Sequence, residues 1–217
     1  MLTQYHEAIT RKALAAHFSP HALDAIVAAN IEQDDMLTGQ IGHDEYHFDN
    51  NAFVNGYAYI EKQRELLYGA LGNEDAPTAW ASFGRLTHTA QDFYAHTNYV
   101  DMWLTQFGEI PPHPTEIDPL VEEFLNSPDM HSGKLYYPLE VLYFIPFLKR
   151  FVIPLLPRDS HAHMNLDSPE RGKRFAYAFE AAVKRTRVEF ESIVTTLSGN
   201  LINTFLGNTN EENNSES

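Results

Sequence analysis

The chain has 217 residues, 43% hydrophobic and 21% charged, a composition that fits one globular domain with a core of its own. Thirty acidic against fifteen basic residues give a formal charge of −15. No stable nucleic-acid complex is expected from such a field, because phosphate neutralisation needs clustered Lys and Arg. The absence of cysteine excludes disulfides and thiolate ligands.

The start, Met1-Leu2-Thr3-Gln4-Tyr5, has no basic n-region and no apolar h-region, so no signal peptide is expected in it. A secreted or periplasmic location would follow if one had been removed, and a cytoplasmic one otherwise. Apolar spacing predicts a helix from Thr3 to Phe18, ended by Ser19-Pro20, and a second from Pro20 to Asn30 capped by Ser19. The stretch 31–49 is rich in Gly, Asp and His and lacks a period, which predicts loop. A long helix follows from Asn50 or Asn51 to Leu71, with 61–64 facing solvent, and Pro77 opens another that runs to Trp103. Residues 110–132 are Pro- and acid-rich, with one short helix at 115–125.

Leu135 to Pro157 is the most apolar stretch, but Glu140, Lys149, Arg150 and the prolines Pro138, Pro146 and Pro154 argue against a membrane span. Either it closes the helical core or it makes transient contact with a membrane surface through 135–157, with Tyr136, Tyr137, Tyr143 and Phe144 suited to a headgroup boundary. Ser168-Pro169-Glu170 starts a helical pattern that lasts to Leu206. No strand alternation and no internal repeat is evident. The expected fold is all-α: one helical bundle over 1–206, followed by a disordered acidic tail, 207–217.

Eleven histidines stand in the chain, and histidine is the commonest metal ligand. Within the helix expected after Pro77, His88, Asp92 and His96 lie at i, i+4 and i+8, which places them on one stripe about 12 Å long. That is too long for one zinc ion, whose ligand bonds are about 2.0–2.2 Å. It suits a central carboxylate serving one metal with His88 while His96 reaches another. Three further groups are His161, His163 and Asp167; Asp34 and Asp35 with the run His43–Asp49; and His6 in the first helix. Each alone reads as an ordinary polar surface or core group. Together they make an oxygen- and nitrogen-ligated set, which suits catalytic zinc. His17, His21, His113 and His131 read as surface residues.

The stretch Gly84-Arg-Leu-Thr-His88-Thr-Ala-Gln-Asp92-Phe-Tyr-Ala-His96-Thr-Asn-Tyr-Val100 resembles the zinc-dependent phospholipase C superfamily, which includes single-strand-specific zinc nucleases. Its closest likeness is to the HET-C branch, which the stretches His47-Phe-Asp-Asn50 and Ser160–Asp167 also match. The resemblance implies an all-helical fold with up to three zinc ions at the base of a cleft. Carried over by motif, Asp34 (or Asp35), His47, His88 and Asp92 would hold the first metal. His96, with His161 or His163 and Asp167, would hold the second, and His6 with Asp92 the third. The superfamily completes its third metal with an N-terminal tryptophan, where this chain has Met1-Leu2, and commonly has glutamate where Asp167 stands.

The implied function is phosphodiester hydrolysis by a metal-activated water, oriented or deprotonated by Asp34 or Asp35. The implied enzyme is a phospholipase C acting on phosphatidylcholine-like lipids. The alternatives are a nuclease or other phosphodiesterase with the same metal cluster, its bases stacked on Phe93, Tyr94, Tyr99 or Trp103, and a non-catalytic zinc-stabilised interaction module.

Overall fold

Twelve α-helices form among the described residues of the computed structural model, which are 1–40, 42–143 and 145–208. They are α1 Thr3–Leu14, α2 Pro20–Glu32, α3 Asp44–His47, α4 Phe53–Gly72, α5 Ala76–His96, α6 Tyr99–Thr105, α7 Glu122–Leu125, α8 Leu139–Tyr143, α9 Pro146–Val152, α10 His161–Met164, α11 Arg174–Thr196 and α12 Gly199–Leu206. Two isolated bridges, Thr97 with Ser132 and Lys134 with Ser160, are the β-type pairings among those residues, so the all-α expectation holds. None of the described helices is long and apolar enough to cross a membrane.

Helix α5 is the axis of the molecule. It packs against α2, α4 and α11, and every residue from Leu86 to His96 is buried. A helix covered on all sides is ordinarily apolar all round. This one instead buries Thr87, His88, Thr89, Gln91, Asp92 and His96, so its polar groups must be satisfied inside the bundle. The close approach of α2 depends on Gly84, where a Cβ would lie 2.3 Å from the Ile26 carbonyl oxygen and 2.9 Å from Ala29 Cβ. Gly84→Ala is expected to lower stability by about 2 kcal/mol despite alanine's better helix propensity, because both helices must shift apart. Equilibrium urea denaturation measures this, and an unchanged or higher midpoint would refute the packing argument.

Several sequence expectations are corrected. The helix expected from Pro77 to Trp103 is two helices, because Thr97 is extended (φ −105°, ψ 169°) and its hydroxyl turns back to the Phe93 carbonyl while accepting the Tyr99 N–H. The stretch expected as loop over 31–49 holds the end of α2, a π-helical turn at Met36–Gln40, and α3. Gln63 is buried and Arg64 is half-buried against Glu189, so only Glu61 and Lys62 of 61–64 face solvent. The final helix breaks at Leu197 and Ser198, both extended. Phe93, Tyr94, Tyr99 and Trp103 are all buried and serve the core, where no base can stack on them.

The stretch 135–157 folds into α8, α9 and a 3-10 turn at Ile153–Leu155. Tyr143, Val152 and Leu156 pack with Ala162 into a small cluster of their own. Tyr143 is therefore interior and not at a surface, Tyr136 is half-buried on Asp159, and of the four aromatic candidates Tyr137 is exposed. Phe144 and the tail residues 209–217 lie outside the described residues.

Candidate metal centre

Nine side chains from six places in the chain meet along one face of α5. His88, Asp92 and His96 come from α5 itself, His6 from α1, and Asp34 from just beyond α2. His47 closes α3, Asp49 follows it, His161 opens α10, and Asp167 lies three residues past that helix. Phe48, Asn50 and Asn51 take left-handed backbone (φ 58°, 53° and 58°), which turns the chain sharply enough to aim both His47 and Asp49 inward. Asparagine tolerates this conformation, whereas for phenylalanine it is a strained one. The Phe48 ring is fully buried and seated against Gly56, where a Cβ would approach it to 2.6 Å. Asn50 accepts the Leu135 N–H, and Asn51 accepts the Ser132 N–H and donates its own to the Ser132 hydroxyl.

Asp92 is the focus. It is fully buried, with Oδ1 3.1 Å from His6 Nε2 and 3.9 Å from His96 Nε2, and Oδ2 2.7 Å from His47 Nδ1 and 3.2 Å from His88 Nε2. The Met1 ammonium also contacts Oδ1 and lies 3.5 Å from Asp167 Oδ1. His88 Nε2 is 3.9 Å from Asp34 Oδ1, and the His6 and His88 rings stack at 4.1 Å. On the other side, Asp167 Oδ1 is 3.1 Å from His96 Nε2 and Asp167 Oδ2 is 3.8 Å from His161 Nε2. Asp49 Oδ1 is 2.9 Å from His161 Nδ1.

The partners of the far ring nitrogens fix the tautomers. His6 Nδ1 lies 2.7 Å from Gln91 Oε1; the Gln91 amide nitrogen donates to Thr10 and Thr186, so Oε1 is an acceptor and His6 Nδ1 must donate. His47 Nε2 faces the Gly39 carbonyl at 3.3 Å, and His96 Nδ1 faces the His47 carbonyl at 3.0 Å; both must donate. Each ring in its neutral form then aims a bare lone pair at a carboxylate oxygen: His6 and His47 at Asp92, His96 at Asp167. Two acceptors at such distances attract only when a cation, proton or metal, stands between them. Metal-ligating histidines hold their outer N–H in this way. His6 Nε2 and His88 Nδ1 have no hydrogen-bond partner although both are buried. The donor set therefore fits a metal ion.

Charge follows the same pattern. Burial opposes the Asp92 carboxylate, but the Met1 ammonium and the histidines hold it well below the usual range, and Asp167, Asp49 and Asp34 are lowered by their cationic neighbours against the same penalty. His88 is pushed down to about 4 by burial and by His6, so it is neutral and available as a ligand. His47 and His96 are raised, since the neighbouring aspartates outweigh desolvation. A metal entering there must displace their protons.

Two groups of side chains could each hold an ion: His6, Asp34, His88 and Asp92, and Asp49, His96 and His161, with ligand atoms in each group all within 4.8 Å of one another. Asp92 adjoins both. In the second group, the His96 tautomer and the hydrogen bond from His161 Nδ1 assign Asp49 to orienting the rings, and Asp167 faces their Nε2 atoms. Above this floor opens a cavity of about 280 Å³, walled by Met36, Leu135, Tyr137, Tyr143 and Lys149, onto which Asp34, Asp49, Asp167, His47, His96 and His161 face.

Of the residues expected in the site, His6, Asp34, His47, His88, Asp92, His96, His161 and Asp167 are brought together. His6 stands in the first group together with Asp34, His88 and Asp92. Two candidates lie elsewhere. Asp35 is exposed and accepts the Thr38 N–H and hydroxyl, because consecutive residues past a helix end point in different directions. His163 is exposed against the Ile153 carbonyl, on the far side of the single turn that points His161 inward. Sequence reasoning passed over Asp49 as a site residue and missed Gln91; the Asn50-Asn51 pair, marking a left-handed turn beside Asp49, was the available signal.

A family model described as the VWA7 N-terminal domain matches residues 2–115. The von Willebrand factor A domain-containing protein 7 of Rattus norvegicus is 35% identical over 94 residues, which cover 43% of this chain and 10% of that protein. No solved structure matches. These findings overturn the expected function: both point to a VWA7 N-terminal domain and not to a zinc-dependent phosphodiester hydrolase of phospholipase C type, and the phosphatidylcholine-like substrate falls with that expectation.

Proposed function

The chain belongs to the VWA7 N-terminal domain family, and from that premise we propose that this domain binds a pair of zinc ions and presents them to a ligand entering from the pocket. The observation that carries the reading is the convergence of the inner ring nitrogens of His6 and His47 on the buried Asp92 carboxylate, each with its outer nitrogen already committed. Imidazole and carboxylate without thiolate is the donor set of zinc sites that keep an open position. The likeness of 84–100 to a zinc-dependent superfamily supports the same metal.

When bound, the ions supply a Lewis-acid charge to an oxygen ligand in the pocket. The chain's own residues divide the remaining work. Gln91, held by Thr10 and Thr186, fixes the His6 ring; Gly39 and His47 carbonyls fix His47 and His96; Asp49 fixes His161. Asp34, ionised, 10% exposed and steadied by the Thr3 hydroxyl, is the carboxylate placed to orient an entering ligand or take a proton from it.

Elemental mass spectrometry of the purified protein, before chelation and after reloading with zinc, tests the proposal. At least two equivalents are expected. A folded protein that holds none and takes up none would remove it.

A further inference from the structure

The strand of chain that walls the pocket has a second, outward face that the metal centre does not use. Along α9 and the turn after it, Leu148, Val152 and Leu156 point inward to the small cluster around Tyr143. Phe147, Phe151 and Leu155, one position earlier in each case, point out and are 73%, 60% and 68% exposed. A short helix apolar on both faces has one face too many for a water-facing position, and large side chains exposed at successive turns form a patch rather than scattered exceptions.

Charge identifies what covers it. The chain has twice as many acids as bases, yet residues 146–158 contain Lys149, Arg150 and Arg158 and no acid. Arg150 and Arg158 are exposed, and the Arg150 guanidinium lies over the Phe151 ring at 4.6 Å. Exposed phenylalanines set among cations match the boundary between anionic headgroups and acyl chains, where aromatic rings insert and basic residues stay at headgroup level. An anionic surface would repel the rest of this acidic molecule and so favour this end alone.

We infer that α9 and the following turn dock the domain on an anionic lipid surface through Phe147, Phe151 and Leu155, with Arg150 at the headgroups. This inference stands on the surface alone and does not require metal in the site.

The test is co-sedimentation of the full chain with phosphatidylcholine vesicles and with vesicles containing phosphatidylglycerol, at low and at physiological salt. Binding to the anionic vesicles, weakened by salt, is expected. A Phe147→Ser/Phe151→Ser variant should bind at least tenfold less while keeping its helical circular dichroism and its metal content. Arg150→Gln should reduce binding to anionic vesicles alone. Equal binding by wild type and double variant, or no binding to either vesicle, would overturn the inference. So would a dimer in sedimentation velocity that the double variant dissolves, which would assign the face to a second copy of the chain.

Discussion

An Asp92→Asn variant is expected to lose its metal and keep its fold. Among the described residues, Asp92 is the carboxylate that touches both ligand groups, and it does so from a position with no solvent access. Asparagine has the same shape, but it removes the negative charge on which the ions depend and puts an amide N–H opposite the bare nitrogen of His47. That N–H satisfies the lone pair without a cation, so the metal-free protein gains a hydrogen bond where it previously required a proton. Chelation should lower the melting temperature of the wild type by roughly 10 °C, the scale set by a ligand at about 1,000 times its dissociation constant acting on a domain of this size. Chelation should leave the variant unmoved. Elemental analysis and differential scanning fluorimetry read the two halves separately. Wild-type metal content in Asp92→Asn would show that the carboxylate is structural and that the centre lies elsewhere.

The part of this site that could be read in the sequence is the part that a helix displays. His88, Asp92 and His96 share a face because 3.6 residues per turn puts them there, and the structure places all three along that face. The remaining ligands sit where periodicity gives no purchase. Asp34 and Asp35 follow the end of α2 one after the other, and apolar spacing does not tell that Asp34 meets His88 while Asp35 turns to Thr38. His161 and His163 lie in a four-residue helix, and the choice between them is made at Gly133, whose missing Cβ lets the His161 backbone approach to within 2.6 Å of where that atom would be. Asp49 depends on left-handed residues on either side of it, Phe48 before and Asn50 and Asn51 after, a path that no apolar period encodes. For the fold, the bundle and its main helices were legible from apolar spacing. The break at Thr97 was not, because it comes from one hydroxyl and a pairing with Ser132, distant in sequence.

The second large effect is expected far from the metal, at Glu189. Its carboxylate is 4% exposed and lies between two guanidinium groups: Oε1 is 2.7 Å from Arg185 Nε, and Oε2 is 2.7 Å from Arg64 Nη2. Arg64 belongs to α4 and Glu189 to α11, so this carboxylate ties together two helices that flank α5. Glu189→Gln leaves two partly buried cations facing each other and is expected to cost about 3 kcal/mol, since removing one member of a buried ionic group strands the others. The pH dependence has a definite sign. Burial raises the Glu189 pKa, but Arg185 and Arg64 outweigh it and hold the folded value below the ordinary 4.5. The carboxylate's contribution is therefore complete above 4.5 and is lost as pH falls through the folded value. Urea denaturation of wild type and variant at pH 7 should show the full difference, and the gap should narrow as the pH is taken below 4.5. A difference under about 1 kcal/mol at pH 7 would reduce the triad to the standing of an exposed ion pair. A difference that stayed constant into acid would mean that the lost stability comes from packing and not from the charge.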